Sequence, residues 1–250
     1  MRDILLNHKS IRKYKPEKID SGILHSCLEA GIRASTTGNM QVYSIVVTTR
    51  EDLKAELWEA HFKQNMVKQA PVVLTFCADF NRFNLWCEQR NAKPGYDNFL
   101  SFYTASIDAL LVAQNVCIAA ESYGLGICYL GTTTYMAEEI SRILNLPRGV
   151  VPVTTVVAGY PDESPALTDR LPLEAVVHQE QYTDYTPGRI DDLYDEKEHL
   201  AENLHFLKVN QKETLAQIFT DIRYPKKDNV LFSEKYLKFI AEQGFMNHNG

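Results

Sequence analysis

The feature that most restricts the fold is one long apolar stretch. From Phe99 to Tyr123 the chain carries Leu100, Tyr103, Ile107, Leu110, Leu111, Cys117 and Ile118 at positions lying almost all round a helix. A helix apolar on every side has to sit in the middle of something. A bilayer is one such place, but Asp108, Gln114 and Asn115 interrupt the run, and a membrane span excludes such residues unless they have a special role. The stretch is therefore read as the buried central helix of a soluble protein, stopped by Gly124 and Gly126.

Shorter segments alternate around it. Ser21 to Ala34 has helical spacing, with Asp20 or Ser21 as N-cap. Val42 to Thr48 is β-branched and aromatic and reads as a strand. Glu51 to His61 is a charged helix. Pro71 to Ala78 is a strand so continuously apolar that it belongs at the centre of a sheet. Ile127 to Leu130 and Val150 to Ala158 are two more strands, separated by a helix over Met136 to Leu144. Beyond Gly159, prolines at 161, 165, 172 and 187 suit a segment that wraps rather than enters a sheet. The acidic run Asp191 to Asn203 reads as a solvated helix face, and Glu234 to Gln243 as a terminal amphipathic helix. The expectation is a helix-rich α+β fold, a central mixed β-sheet surrounded by helices. Residues 1–160 form its core domain and residues 161–250 a C-terminal extension of the same domain.

Composition narrows the function. The 250 residues include 26 Lys and Arg against 32 Asp and Glu, a formal charge of −6. Nucleic acid and anionic membrane are poor partners for such a chain, and an anion binds only at a local positive cluster. The five cysteines are odd in number and lack zinc spacing, so they read as buried reduced thiols in a reducing compartment. The first residues, MRDILLNHKSIRKYKPEK, carry charge where a signal peptide needs its apolar stretch. The expected location is the cytoplasm. GxxxxGK[ST], HExxH and GxSxG are absent. Gly124-Leu-Gly126 begins like GxGxxG, but the next glycine is Gly131 and the order is helix then strand, the reverse of a dinucleotide fingerprint. The seven histidines show no ligand spacing, and no metal site is expected.

Three polar clusters remain. His8-Lys9-Ser10-Ile11-Arg12-Lys13 combines fixed positive charge with hydroxyl and imidazole groups, which a phosphate needs. Taken alone it reads first as a solvated basic terminus. Ser35-Thr36-Thr37-Gly38-Asn39-Met40-Gln41 joins a helix to a strand and is either a polar loop or a ligand loop. Tyr129-Leu130-Gly131-Thr132 ends a buried strand, where Gly131 lets a flat ligand approach the backbone or simply makes a turn.

The order of these clusters resembles the FMN-dependent nitroreductases, in particular the branch of flavin reductases and oxygen-insensitive nitroreductases. The same resemblance runs through Gln64 in KQNMVKQAPVVLTFCAD, the stretch Ser106 to Pro147, Asp169-Arg170-Leu171-Pro172, the His178 to Tyr182 segment and the final Gln243-Gly244-Phe245. It covers nearly the whole chain.

The resemblance implies a nitroreductase-like fold, a homodimer with FMN at the interface, and an extension that embraces the partner. It implies electrons passing from NADPH or NADH through flavin N5, in ping-pong fashion, to a nitroaromatic, quinone or flavin acceptor. It assigns the FMN phosphate and ribityl chain to His8, Ser10 and Arg12, with Arg170 as a further phosphate ligand, and counts Lys9 among the cofactor-binding residues. Ser35, Thr36 and Thr37 match the polar loop near the flavin. Gln64, Tyr129, Leu130 and Gly131 match positions lining the isoalloxazine ring. No side chain is expected to be catalytic, because the flavin carries the chemistry; Lys9 is the candidate for stabilising a reduced, anionic flavin. Two departures stand out. Lys9 replaces the usual arginine and loses its planar fork, and Thr168 replaces a basic residue. The alternatives are reductive dehalogenation on the same scaffold and a flavin- or ligand-binding protein without turnover.

Overall fold

The computed structural model describes residues 1–248. It divides into two compact units, Met1–Ala166 together with the chain from Phe232 on, and Leu167–Leu231.

The first unit is built on a four-stranded sheet, β1 (Tyr43–Thr48), β2 (Val72–Asp79), β3 (Gly126–Leu130) and β4 (Val150–Gly159), in the order β1-β2-β4-β3. All three pairings of these strands are antiparallel. The parallel component of the sheet is an isolated bridge between Ser10 and Ile127. β2 lies at the centre, as its continuous apolar run requires, and every one of its eight residues is buried. The helices before β3 are α1 (Arg2–Leu6), α2 (Ser21–Gly31), α3 (Glu51–Ala60), α4 (Asn65–Gln69), α5 (Asn81–Glu88) and α6 (Phe99–Ser122). α7 (Ala137–Ile143) joins β3 to β4. Asp20 caps α2 by accepting the amide N–H groups of Gly22 and Ile23. α1, α4 and α5 are too short to leave a periodic trace in the sequence.

The long helix α6 differs from the sequence expectation. It starts at an Asn98 cap and ends at Gly124, whose φ of 76° suits the left-handed closing residue of a helix. Its composition and length would allow it to cross a bilayer, but it is a core helix on one side only. Ala105, Ala109, Val112, Ala113, Val116, Cys117 and Ala120 are buried against the sheet and α2. The larger Leu100, Tyr103, Ile107, Leu110 and Leu111 are exposed, Leu100 at 71%. The reason is steric. Gly31 of α2 approaches so closely that an added Cβ would lie 2.3 Å from Val116 Cγ2, and only small residues tolerate that spacing.

The second unit holds a short turn at Leu173–Ala175 and the helices α8 (Pro187–His199), α9 (Ala201–Asn210) and α10 (Leu215–Gln217). The expected single helix over Asp191 to Asn203 is two helices, because Leu200 adopts an extended ψ of 134° between them. The last helix, α11 (Lys226–Glu242), carries the chain back to the first unit. There Phe239 and Ile240 pack in a cluster with Phe80, Phe102 and Phe245.

β3 is an edge strand, and the segment before α2 covers it. The Ile11 N–H donates to the Ile127 carbonyl at 2.9 Å, and the Lys15 N–H to the Tyr160 carbonyl at 2.9 Å. The buried Tyr14 hydroxyl donates to the Ile11 carbonyl at 2.5 Å. Gly126 makes room for this: a Cβ there would sit 2.5 Å from Ile11 Cγ1. Gly126→Ala is therefore expected to lift the segment off β3 and to destabilise the protein by about 1–3 kcal/mol. A lower urea midpoint with an unchanged slope would show it.

Candidate functional site

The N-terminal motif lies along the β3 edge because Ser10 and Ile11 pair with Ile127. His8 Nδ1 is 2.6 Å from Glu121 Oε1, at the end of α6. The Arg12 and Lys13 N–H groups donate to Glu163 Oε1 at 2.5 and 3.1 Å. Glu163 thereby fixes the backbone of the motif, while the Arg12 side chain remains exposed and Lys9 half-buried. Positive charge thus sits along a strand edge whose backbone is held in place.

The other end of β3 runs into a turn at Gly131–Thr133. Thr132 Oγ1 joins two residues from the α3–α4 connection: His61 Nδ1 at 2.8 Å and Gln64 Nε2, which donates to it at 3.2 Å. Gln64 also donates to the His61 carbonyl at 3.0 Å. His61 is fully buried, and burial lowers its imidazolium pKa to about 4. It is neutral at pH 7, and its Nε2 is a buried nitrogen with no hydrogen-bond partner. A Cβ on Gly131 would meet nothing within 4 Å, so the backbone there faces open space. Leu130 beneath it is buried. Tyr129 donates its hydroxyl to Gln114 Oε1 at 3.3 Å, and burial pushes its phenol pKa up.

Ser35, Thr36 and Thr37 lie elsewhere. The Thr37 N–H and hydroxyl donate to Asp108 Oδ1 at 3.0 and 3.3 Å. Asp108 is buried in the middle of α6, and its Oδ2 has no partner. Asp108 and Glu121 are 13 residues apart on that helix, about 20 Å along its axis. The chain therefore brings His8, Lys9, Ser10, Arg12, Tyr129, Leu130, Gly131 and Gln64 to one edge, and anchors the loop of Ser35, Thr36 and Thr37 about 20 Å along α6 from the His8 anchor. Arg170 belongs to the second unit, where Nη1 donates to the Thr168 and Asp169 carbonyls at 3.3 and 2.8 Å. Asp169 is ion-paired with Lys197.

Sequence reasoning missed His61, Glu121, Glu163 and the anchoring role of Asp108, and it named Thr132 in a candidate cluster without giving it a partner. His61 and Thr132 adjoin Gln64 and Gly131 in the chain, so the neighbourhood was legible but the hydrogen bond between them was not. Glu121 and Glu163 are more than a hundred residues from the groups they hold, and no local pattern marks them. All five cysteines are buried and unpaired, and burial pushes the Cys117 thiol up to about 12. Among the described residues, no group of three or more His, Cys, Asp or Glu side chains is arranged to hold a metal ion.

A family model described as the nitroreductase family matches residues 5–160. The chain belongs to the nitroreductase family. This nitroreductase superposes on a solved oxidoreductase from Bacteroides fragilis with a TM-score of 0.97 and 55% identity, covering 98% of this chain and 100% of that one. It is 33% identical over 231 residues to a Bacillus subtilis protein named FMN reductase [NAD(P)H], spanning 88% of this chain and 91% of the relative. A Pseudomonas protein named Cr(VI) reductase is 31% identical over 182 residues, 73% of this chain and 75% of the relative. The nitroreductase fold expected from the sequence is the fold of these relatives.

The buried His61 has a consequence for acid stability. Its folded pKa lies near 4 and its ordinary value is 6.5. Between these values the unfolded chain takes up a proton that the folded chain refuses, so stability falls as pH drops through the window. His61→Gln is expected to flatten the acid limb by up to about 1.4 kcal/mol per pH unit. Urea unfolding of both proteins at about pH 4.5 and about pH 7 measures the difference.

Proposed function

We propose that this nitroreductase is an NAD(P)H-dependent FMN oxidoreductase that reduces nitroaromatic, quinone or flavin acceptors. The observation that carries the reading is the β3 edge. One end presents the fixed backbone and positive side chains of the His8 to Arg12 segment, and the other presents open space over the Gly131 backbone. This donor set suits a ligand with an anionic phosphate at one end and a flat ring at the other. His8, Ser10 and Arg12 hold the phosphate and ribityl chain, Lys9 beside them binds the flavin by its charge, and Gln64, Tyr129, Leu130 and Gly131 line the ring. When bound, FMN supplies a two-electron carrier between nicotinamide and acceptor.

The protein's part is binding, orientation and electrostatics. Thr132 and His61 hold Gln64 in one place, so its amide meets the ring without reorganising. Lys9 brings a positive charge that favours the reduced, anionic ligand. The name of the Bacillus subtilis relative supports both NADH and NADPH as donors.

The reading includes a homodimer. Its support is the exposed apolar row Leu100, Tyr103, Ile107, Leu110 and Leu111 on α6, a face of the kind that marks an interface. Because Thr37 is anchored about 20 Å along α6 from the His8 anchor, we read Ser35, Thr36 and Thr37 of one chain as serving the flavin held by its partner. Of the expected extension, residues 161–250, the Leu167–Leu231 unit is the part we read as embracing the second copy, with Leu173 and Val176 exposed, while the chain from Phe232 packs in its own first unit. Arg170 is read as a further phosphate ligand from the match of Asp169-Arg170-Leu171-Pro172 to the family pattern. The five buried free thiols support a reducing compartment, the cytoplasm.

The test is the visible spectrum of the purified protein, followed by NADPH and NADH oxidation with and without a quinone. A flavin spectrum at about one per chain with acceptor-dependent oxidation is expected. Bound flavin with no oxidation of either nucleotide would mean a binding protein without turnover. Arg12→Ala combined with Arg170→Ala is expected to weaken FMN binding tenfold or more, as loss of charged hydrogen bonds does. Fluorescence titration of the flavin reads it, and an unchanged affinity would overturn the phosphate assignment.

A further inference from the structure

Three aromatic side chains stand beside the Gly131–Thr133 turn, and nothing in the site described above uses them. Phe62 directly follows the buried His61. Tyr135 is tied to the turn by its N–H, which donates to the Thr132 carbonyl at 3.1 Å. Phe232 comes from α11. Tyr135 and Phe232 stack with ring centroids 4.4 Å apart and planes at 13°. The Phe62 ring lies 6.4 Å from Tyr135 and 6.1 Å from Phe232.

Phe62 is the informative member. It is 48% exposed, so core packing does not account for it. Its backbone is also unusual: Phe62 and Lys63 have φ of 55° and 58°, two consecutive left-handed residues that are not glycine. Bulky side chains rarely adopt that conformation, and where they do the surroundings over-determine it. Here the Lys63 N–H donates to the Trp58 carbonyl at 2.8 Å, and the next residue, Gln64, is bonded to Thr132. The same turn that sets Gln64 therefore also sets Phe62 and leaves it about half exposed.

We propose that Phe62, Tyr135 and Phe232 form an aromatic wall that selects flat conjugated acceptors over compact inorganic oxidants. The proposal rests on the reading of the Gly131 end as the flavin edge. A quinone or nitroaromatic ring gains offset or edge-to-face contact with Phe62, while an octahedral metal complex gains none. Both reactions balance with the nucleotide as reductant. One NADPH and one proton convert one quinone to its hydroquinone, leaving NADP+. One NADPH reduces two ferricyanide ions by one electron each, leaving NADP+ and a proton.

The experiment uses the FMN-loaded enzyme at saturating NADPH, with 1,4-naphthoquinone and ferricyanide as acceptors. The quantity read is the ratio of the two kcat/KM values. Phe62→Ala is expected to lower that ratio about three- to tenfold, mainly through a higher KM for the quinone. Phe62→Leu keeps the bulk without the ring and is expected to behave like Phe62→Ala, while Phe62→Trp restores the ratio. Should Phe62→Ala fold poorly, Phe62→Leu and Tyr135→Leu carry the test. A ratio unchanged in the leucine variants, or an equal loss with both acceptors, overturns the wall and leaves the oxidoreductase reading standing. A wild-type protein that holds no flavin and oxidises no NADPH overturns that reading and the wall with it, before any variant is made.

Discussion

The covering of the β3 edge is the constraint on which the candidate site depends. An edge strand presents unpaired N–H and carbonyl groups that must be blunted or paired. Here the chain pairs them with its own N-terminal segment, through the Ile11 N–H on the Ile127 carbonyl and the Ser10 bridge. The strand that needed covering also carries Tyr129, Leu130 and Gly131. One structural necessity thus lays the positive motif alongside these candidate site residues. Gly126 is the point where this is decided, because its missing Cβ is the space that Ile11 occupies.

The second determinant is α6. Its small side chains face the sheet and α2, and its large ones face outward. Inside one chain this is an inversion, since large apolar groups gain most from burial. The proposed homodimer accounts for it, with the chain's own core on the small side and a second copy on the large side. The polar groups follow the same logic. Asp108 on α6 anchors Thr37, and Glu121 near the end of the helix meets His8. One rigid element therefore spaces the two polar loops about 20 Å apart.

Much of the first unit was legible in the sequence. The four strands, α2, α3, α6 and α7 lie where β-branched runs, caps and glycine stops put them, because those signals act over a few residues. α1, α4 and α5 were not legible, since five to eight residues show too few turns to establish a period, and they lack the Pro147 and Gly149 stop that marked the equally short α7. The burial of α6 on one side only was hidden as well. Periodicity reports which residues are apolar, not how closely a neighbouring helix can approach. In the candidate site, the His8 motif, Gln64 and the Tyr129 to Thr132 stretch stood out as ordered motifs, whereas Glu121, Glu163 and His61 did not. A carboxylate that caps backbone N–H groups across more than a hundred residues leaves no trace in local sequence.

The sequence by itself determined the family, the strand set and the chemical types of the candidate ligand groups, because each is written in contiguous residues. Only the tertiary structure decided three further points. It placed the basic motif on β3 rather than in solvent. It separated Ser35, Thr36 and Thr37 from that motif by the length of a helix segment. It buried His61 as a neutral hydrogen-bond partner of Thr132. Each depends on which distant backbones come into contact, and a close approach such as Ile11 over Gly126 is set by packing in three dimensions.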